Sequence, residues 1–253
     1  MPDPTDWIAT YRKSHERFAE LLDGLDEDGL RGRSYHDWSV AQVASHLGSQ
    51  AEIFQLLLDA GLTLRPVPAQ EDLVAIWDEW DAMPPLEQAG RSVGANEAFV
   101  RRLEELSEED RDRYEADVFG QRRDLAGLLA MKLVEHAVHT WDIDVALHPD
   151  AVVLPPAVDL LVDTLPDRVG RAGTPHEDVP DVVVETTAPD RRWRFTAHPE
   201  VRLAEEEQTS QDPLRLPAEA FLRLVLGRLD PDHTPSDVQD PRLPSLREVF
   251  PGI

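Results

Sequence analysis

Glu135, His136, His139, Asp142 and Asp144 interrupt an otherwise apolar run, VEHAVHTWDIDVAL (134–147), and their types suit cation binding. Glu135 and His139 are four residues apart, so on a helix both side chains leave one face, a turn apart. At about 100° per residue, Asp142 joins them within an arc of roughly 60°. Carboxylate and imidazole are both good ligands for a divalent ion such as Zn²⁺. Two ligands are too few, and helical bundles supply the remainder from a facing helix. His46, at the edge of an earlier apolar stripe and flanked by Val43, Gln50 and Ile53, is the best candidate. Three protein ligands leave a fourth position open, as in a catalytic rather than a structural zinc site.

A plainer reading competes. The same arc is what a helix's one wet stripe looks like, with Lys132 and His136 beside it. His136 is an alternative ligand, although about 100° from Glu135 the two do not readily share an ion. Asp142 is placed either to orient an imidazole from behind or to sit as an ordinary surface carboxylate. His15, His36, His148, His176, His198 and His233 have no such neighbours and are expected on the surface or in loops.

Positioning these groups requires long helices, and the first 150 residues supply them. Asp3 or Thr5 can cap WIATYRKSHERFAELLDGL, with Gly24 near its end. A second helix covers DWSVAQVASHLGSQAEIFQLLLDAG, with Ser39 as cap, Gly61 as stop, and Val40, Val43, Ala44, Leu47, Ala51 and Phe54 as its stripe. EDLVAIWDEWDAM reads as a short helix. A third long helix follows Pro84 and Pro85 to about Leu106, and the fourth is 122–148, stopped at His148-Pro149. Four amphipathic helices predict a bundle over 1–150.

After Pro149 the character changes. PPAVDLLVDTLPDRV reads as helix, DVVVETTA and RRWRFTA as strands of a hairpin turning near Pro189-Asp190, and EVRLAEEE as a possible third strand. PAEAFLRLVLGRL is a helix with Pro217 in its first turn, and the tail from Asp230 to Ile253 reads as irregular. The expected class is α+β overall: a helical bundle (1–150) followed by a small α+β domain (151–253), with the boundary near 149–155.

Composition narrows the partners. The net charge of −25 repels phosphate backbones and anionic lipid, so neither nucleic acid nor membrane is expected. There is no cysteine, which excludes disulfides, thiolate ligands and cysteine nucleophiles. Any thiol chemistry must use an external thiol. MPDPTDWIAT has neither a basic nor an apolar leader region, and no apolar run reaches the ~18 residues of a membrane span, so a cytoplasmic location is expected. Only Lys13 and Lys132 are lysines among 25 basic residues, a bias typical of a GC-rich genome.

DWSVAQVASHLG (37–48), with a Trp eight residues before a His, resembles the first metal motif of DinB-like proteins, most closely the mycothiol-dependent maleylpyruvate isomerase family. EHAVHTWDIDVAL (135–147) resembles that family's second motif. The resemblance implies zinc bound by His46, Glu135 and His139. FLRLVLGRL (221–229) resembles the Gly-Arg helix end of the family's second domain, which maps the essential arginine to Arg228; Arg223 lies close by. It further implies a thiol cosubstrate, mycothiol, the thiol of actinobacteria, and a small electrophile undergoing isomerisation or S-transfer. Arg228 would hold the substrate's carboxylate, and the enzyme would act as a monomer or homodimer. Two other readings stay open: a DinB-like binding or regulatory module without turnover, and a hydrolase using zinc-bound water.

Overall fold

The computed structural model describes residues 2–35, 37–63 and 66–252. It divides into two compact units, Met1–Ala157 and Val158–Ile253.

The first unit is the helical bundle. α1 (Pro4–Leu22) starts at Asp3, whose carboxylate accepts from the Thr5 amide at 2.7 Å. After the short α2 (Glu27–Arg31) comes α3 (Val40–Thr63), opened by a reciprocal cap. Gln42 N donates to Ser39 Oγ at 3.2 Å and Ser39 N to Gln42 Oε1 at 2.8 Å. Gly61 does not stop this helix. It lies inside it, where an added Cβ would stand 2.4 Å from the Tyr114 ring. α4 (Gln70–Asp81) and α5 (Pro85–Glu104) follow the expected pattern.

Residues 105–124 depart from it. The short α6 (Glu108–Arg113) leads into a hairpin of β1 (Glu115–Val118) and β2 (Gln121–Asp124). The last long helix, α7 (Leu125–Leu147), therefore begins three residues later than expected, with Asp124 Oδ1 accepting from Gly127 N at 2.8 Å. α3 packs chiefly on α5, and α1 on α7. Phe18, Leu21, Val43, Ala44, Leu47 and Ile143 fill the core between them. α7 is apolar nearly all round and almost wholly buried.

α8 (Pro155–Leu161) contains the division between the units. In the second unit a 3₁₀ turn (Val162–Thr164) and α9 (Leu165–Ala172) precede the sheet. β3 (Val182–Thr187) and β4 (Arg191–Thr196) form the expected antiparallel hairpin, and β5 (Arg202–Glu205) extends it. β6 (Leu214–Pro217), not anticipated, pairs in parallel with β3, so the order is β5-β4-β3-β6. α10 (Ala218–Val225) packs on this sheet, with Phe221 stacked on Trp193 at 5.6 Å. The tail expected to be irregular contains α11 (Leu243–Val249), whose Leu243, Leu246 and Val249 are buried. Among the described residues no helix is long and apolar enough to cross a membrane.

Candidate metal centre

The backbone of α3 around His46 is held in place by buried polar groups. The Leu47 carbonyl accepts from Asn96 Nδ2 at 3.2 Å and from Lys132 Nζ at 3.4 Å. Asn96 Oδ1 in turn accepts from Tyr11 Oη at 2.6 Å. Facing His46, α7 presents Glu135 and His139.

His46 Nε2 lies 3.4 Å from Glu135 Oε2, and His139 Nε2 lies 3.6 Å from the same oxygen. One ligand atom from each of the three residues falls within 4.8 Å of the other two; among the described residues no other such trio converges. Zinc bonds of about 2.0–2.2 Å in a tetrahedron separate neighbouring ligand atoms by about 3.3–3.6 Å. The spacing therefore suits one divalent ion, and so does the donor chemistry.

Asp142, 2% exposed, accepts from His139 Nδ1 at 2.8 Å. That bond leaves the Nε2 lone pair of a neutral His139 aimed at the centre. Trp38 covers the outer side, nearly parallel to His139 at 5.8 Å and 5.3 Å from His46, while staying 43% exposed itself.

Charge is balanced locally. Burial pulls the His46 imidazole below its ordinary value, more than Glu135 restores it. For Glu135 burial acts upward, but hydrogen bonds from His139 and His46 hold the carboxyl below the usual carboxylate range. For His139 burial acts downward and is outweighed by Asp142 and Glu135, so its value rises. Burial drives Lys132, three residues before Glu135, down to about 7.

The structure thus brings His46, Glu135 and His139 together and puts Asp142 behind His139. It does not support a wet stripe, because Lys132 and His136 are both fully buried. His136 turns away from the centre: its Nδ1 bonds to Ser14 Oγ at 2.8 Å, and Tyr11 and Phe18 pack edge-on to its ring. His15, expected at the surface, is 3% exposed, with Nε2 3.2 Å from Glu97 of α5. His148 and His198 are exposed, whereas His176 and His233 are half-buried. His36 lies outside the described residues.

Arg228 belongs to the second unit, in the turn after α10, and is 7% exposed. Gly227 before it has φ +70, and an added Cβ there would stand 2.2 Å from Gly252 Cα, so only glycine fits. Arg228 Nη1 donates to the Leu226 carbonyl at 2.7 Å. Arg223 is tied into the fold, donating to both carboxylate oxygens of Glu219 and to the Arg228 and His233 carbonyls.

One polar neighbour of the centre stayed unassigned at the level of sequence. Gln50, one turn after His46, places its Nε2 3.1 Å from His46 Nε2 and 3.3 Å from Glu135 Oε2.

Two solved structures resemble the whole chain. One is a mycothiol-dependent maleylpyruvate isomerase, 15% identical with a TM-score of 0.68, the match covering 95% of this chain and 96% of that one. The other is a histidine-to-alanine mutant under the same enzyme name, 14% identical, with the same TM-score and coverage. Similarity at that identity establishes the fold. No curated protein matches the chain. The family model for the mycothiol maleylpyruvate isomerase N-terminal domain matches residues 11–144, which include His46, Glu135 and His139. With more than half its length matched, the chain belongs to the mycothiol maleylpyruvate isomerase N-terminal domain family.

Proposed function

We propose that this chain is a zinc enzyme that uses mycothiol, or a thiol of its class, to isomerise a small carboxylate-bearing electrophile by reversible addition to a conjugated cis double bond. The observation that carries the reading is the convergence of His46, Glu135 and His139 across two helices, at spacings suited to one ion. Held by these three residues, the cation would stabilise the thiolate of the incoming thiol and so supply a nucleophile at neutral pH.

The chain's own residues do the rest. Two neutral imidazoles and one carboxylate leave a net positive charge on a divalent centre, which attracts a thiolate. Asp142 fixes the His139 ring so that Nε2 faces the centre. Trp38 shields one side of it from water. The absence of cysteine leaves no side-chain thiol to compete for the ion. Arg228 is proposed to grip the substrate carboxylate, for which its planar fork is shaped. The neighbouring Arg223 is occupied by Glu219. Dependence on a low-molecular-weight thiol fits a cytoplasmic enzyme.

The test is mass spectrometry of the protein with mycothiol and a panel of cis-unsaturated carboxylic acids, with and without chelator. Trans product that needs both thiol and metal supports the proposal. A thiol adduct that accumulates without isomerised product makes the chain an S-transferase. Hydrolysis without thiol, or product formation unaffected by chelator, defeats the mechanism.

A further inference from the structure

We infer that Gln50 supplies a fourth donor to the resting metal centre through its amide oxygen, and that an incoming thiol displaces it. The inference rests on the reading of His46, Glu135 and His139 as ligands.

Three observations carry it. Gln50 projects from α3 one turn beyond His46, from the same helix as that ligand. Its amide nitrogen stands 3.1 Å from His46 Nε2 and 3.3 Å from Glu135 Oε2. Those separations are close to the roughly 3.3 Å between neighbouring ligands of a tetrahedral zinc ion, so the amide tip stands where a donor beside His46 and Glu135 would. Finally, Gln50 Oε1 is buried and has no hydrogen-bond partner among the described residues.

An amide nitrogen is no ligand: its lone pair is delocalised, and its hydrogens would face the cation. Rotation about Cγ–Cδ exchanges nitrogen for oxygen at almost the same point. The oxygen lone pairs then face the ion, and the buried orphan acceptor gains a partner. A neutral amide oxygen binds zinc less firmly than imidazole or carboxylate. An anionic, softer thiolate would therefore replace it more readily than water would. Gln50 in this role closes the fourth position to water and yields it to thiol.

The experiment loads the full chain with Co²⁺, whose visible bands report coordination. It compares wild type, Gln50→Ala and Gln50→Glu by competition with a chromophoric chelator and by titration with 2-mercaptoethanol. Gln50→Ala is expected to bind Co²⁺ about tenfold more weakly, to show altered visible bands, and to take up thiol at lower concentration. Gln50→Glu, a charged oxygen donor, should bind the metal more tightly and need more thiol. Bands, affinity and thiol titration unchanged in Gln50→Ala would overturn the inference and leave the three-ligand site standing. A wild-type chain that takes up no Co²⁺ would overturn both.

Discussion

At the residue scale, Lys132 and Asp142 show how the surroundings of the centre are tuned. Lys132 is fully buried between the Tyr11 and Phe54 rings, each 5.7 Å from Nζ. Burial lowers it from 10.5 to about 7, with Glu135 opposing. Between those values the unfolded chain holds a proton that the folded chain has released, so this group makes stability rise as pH rises from about 7 toward 10. Lys132→Met keeps the bulk and removes the charge. In urea denaturation the variant should be the more stable at pH 7, by on the order of 3 kcal/mol, with the gap closing toward pH 10. An equal gap at both values would contradict this. Asp142→Asn keeps the shape but loses the carboxylate that accepts from His139 Nδ1. Metal affinity should fall about 10- to 100-fold, measured by chelator competition, with the circular dichroism unchanged. The acid–imidazole arc was legible because a four-residue spacing needs only helix geometry. Gln50 was not, because a glutamine at a polar edge is common and its meaning lies in a distance to another helix. His15 was misplaced for a related reason: a wheel of α1 does not show that its imidazole meets Glu97, remote in sequence on α5.

At the scale of elements, α3 matters most, since it carries His46 and Gln50 and must pass close to α4. Gly48 permits that approach: an added Cβ would stand 2.2 Å from the fully buried Trp80 ring. Gly48→Ala should cost about 1–3 kcal/mol, read as a lower thermal midpoint. Gly94→Ala, in α5 with nothing within 4 Å, should gain about 0.5–1 kcal/mol. A Gly48→Ala protein as stable as wild type would contradict the packing described. The long helices were legible from 3.6-residue periodicity and from caps such as Asp3 and Ser39. The β1–β2 hairpin was not, because EADV and QRRD are short and charged. Gly61 was misread because glycine both ends helices and admits a neighbour, and that neighbour, Tyr114, is remote in sequence. β6 escaped notice because a four-residue strand ending in proline carries almost no pattern.

At the scale of the whole molecule, the charge of −25 works against an anionic substrate. Long-range repulsion is screened by salt, with a Debye length near 10 Å at about 0.1 M. If the substrate is a carboxylate, kcat/KM should rise several-fold between about 20 and 200 mM salt. A neutral electrophile should show no such rise. A fall with salt for the carboxylate would mean that local cations dominate the approach. The α+β class and the bundle-first order were legible from helical periodicity before Pro149 and strand alternation after it. Which atoms would meet in space was legible only as a hypothesis joining His46 to a couple far along the chain.

The central claim, one divalent ion held by His46, Glu135 and His139, is tested most directly by metal content. Elemental analysis of protein purified after growth with zinc should give one zinc per wild-type chain and almost none in His46→Ala or His139→Ala chains with unchanged circular dichroism. A folded wild-type chain without metal, or variants that keep the full complement, would contradict it.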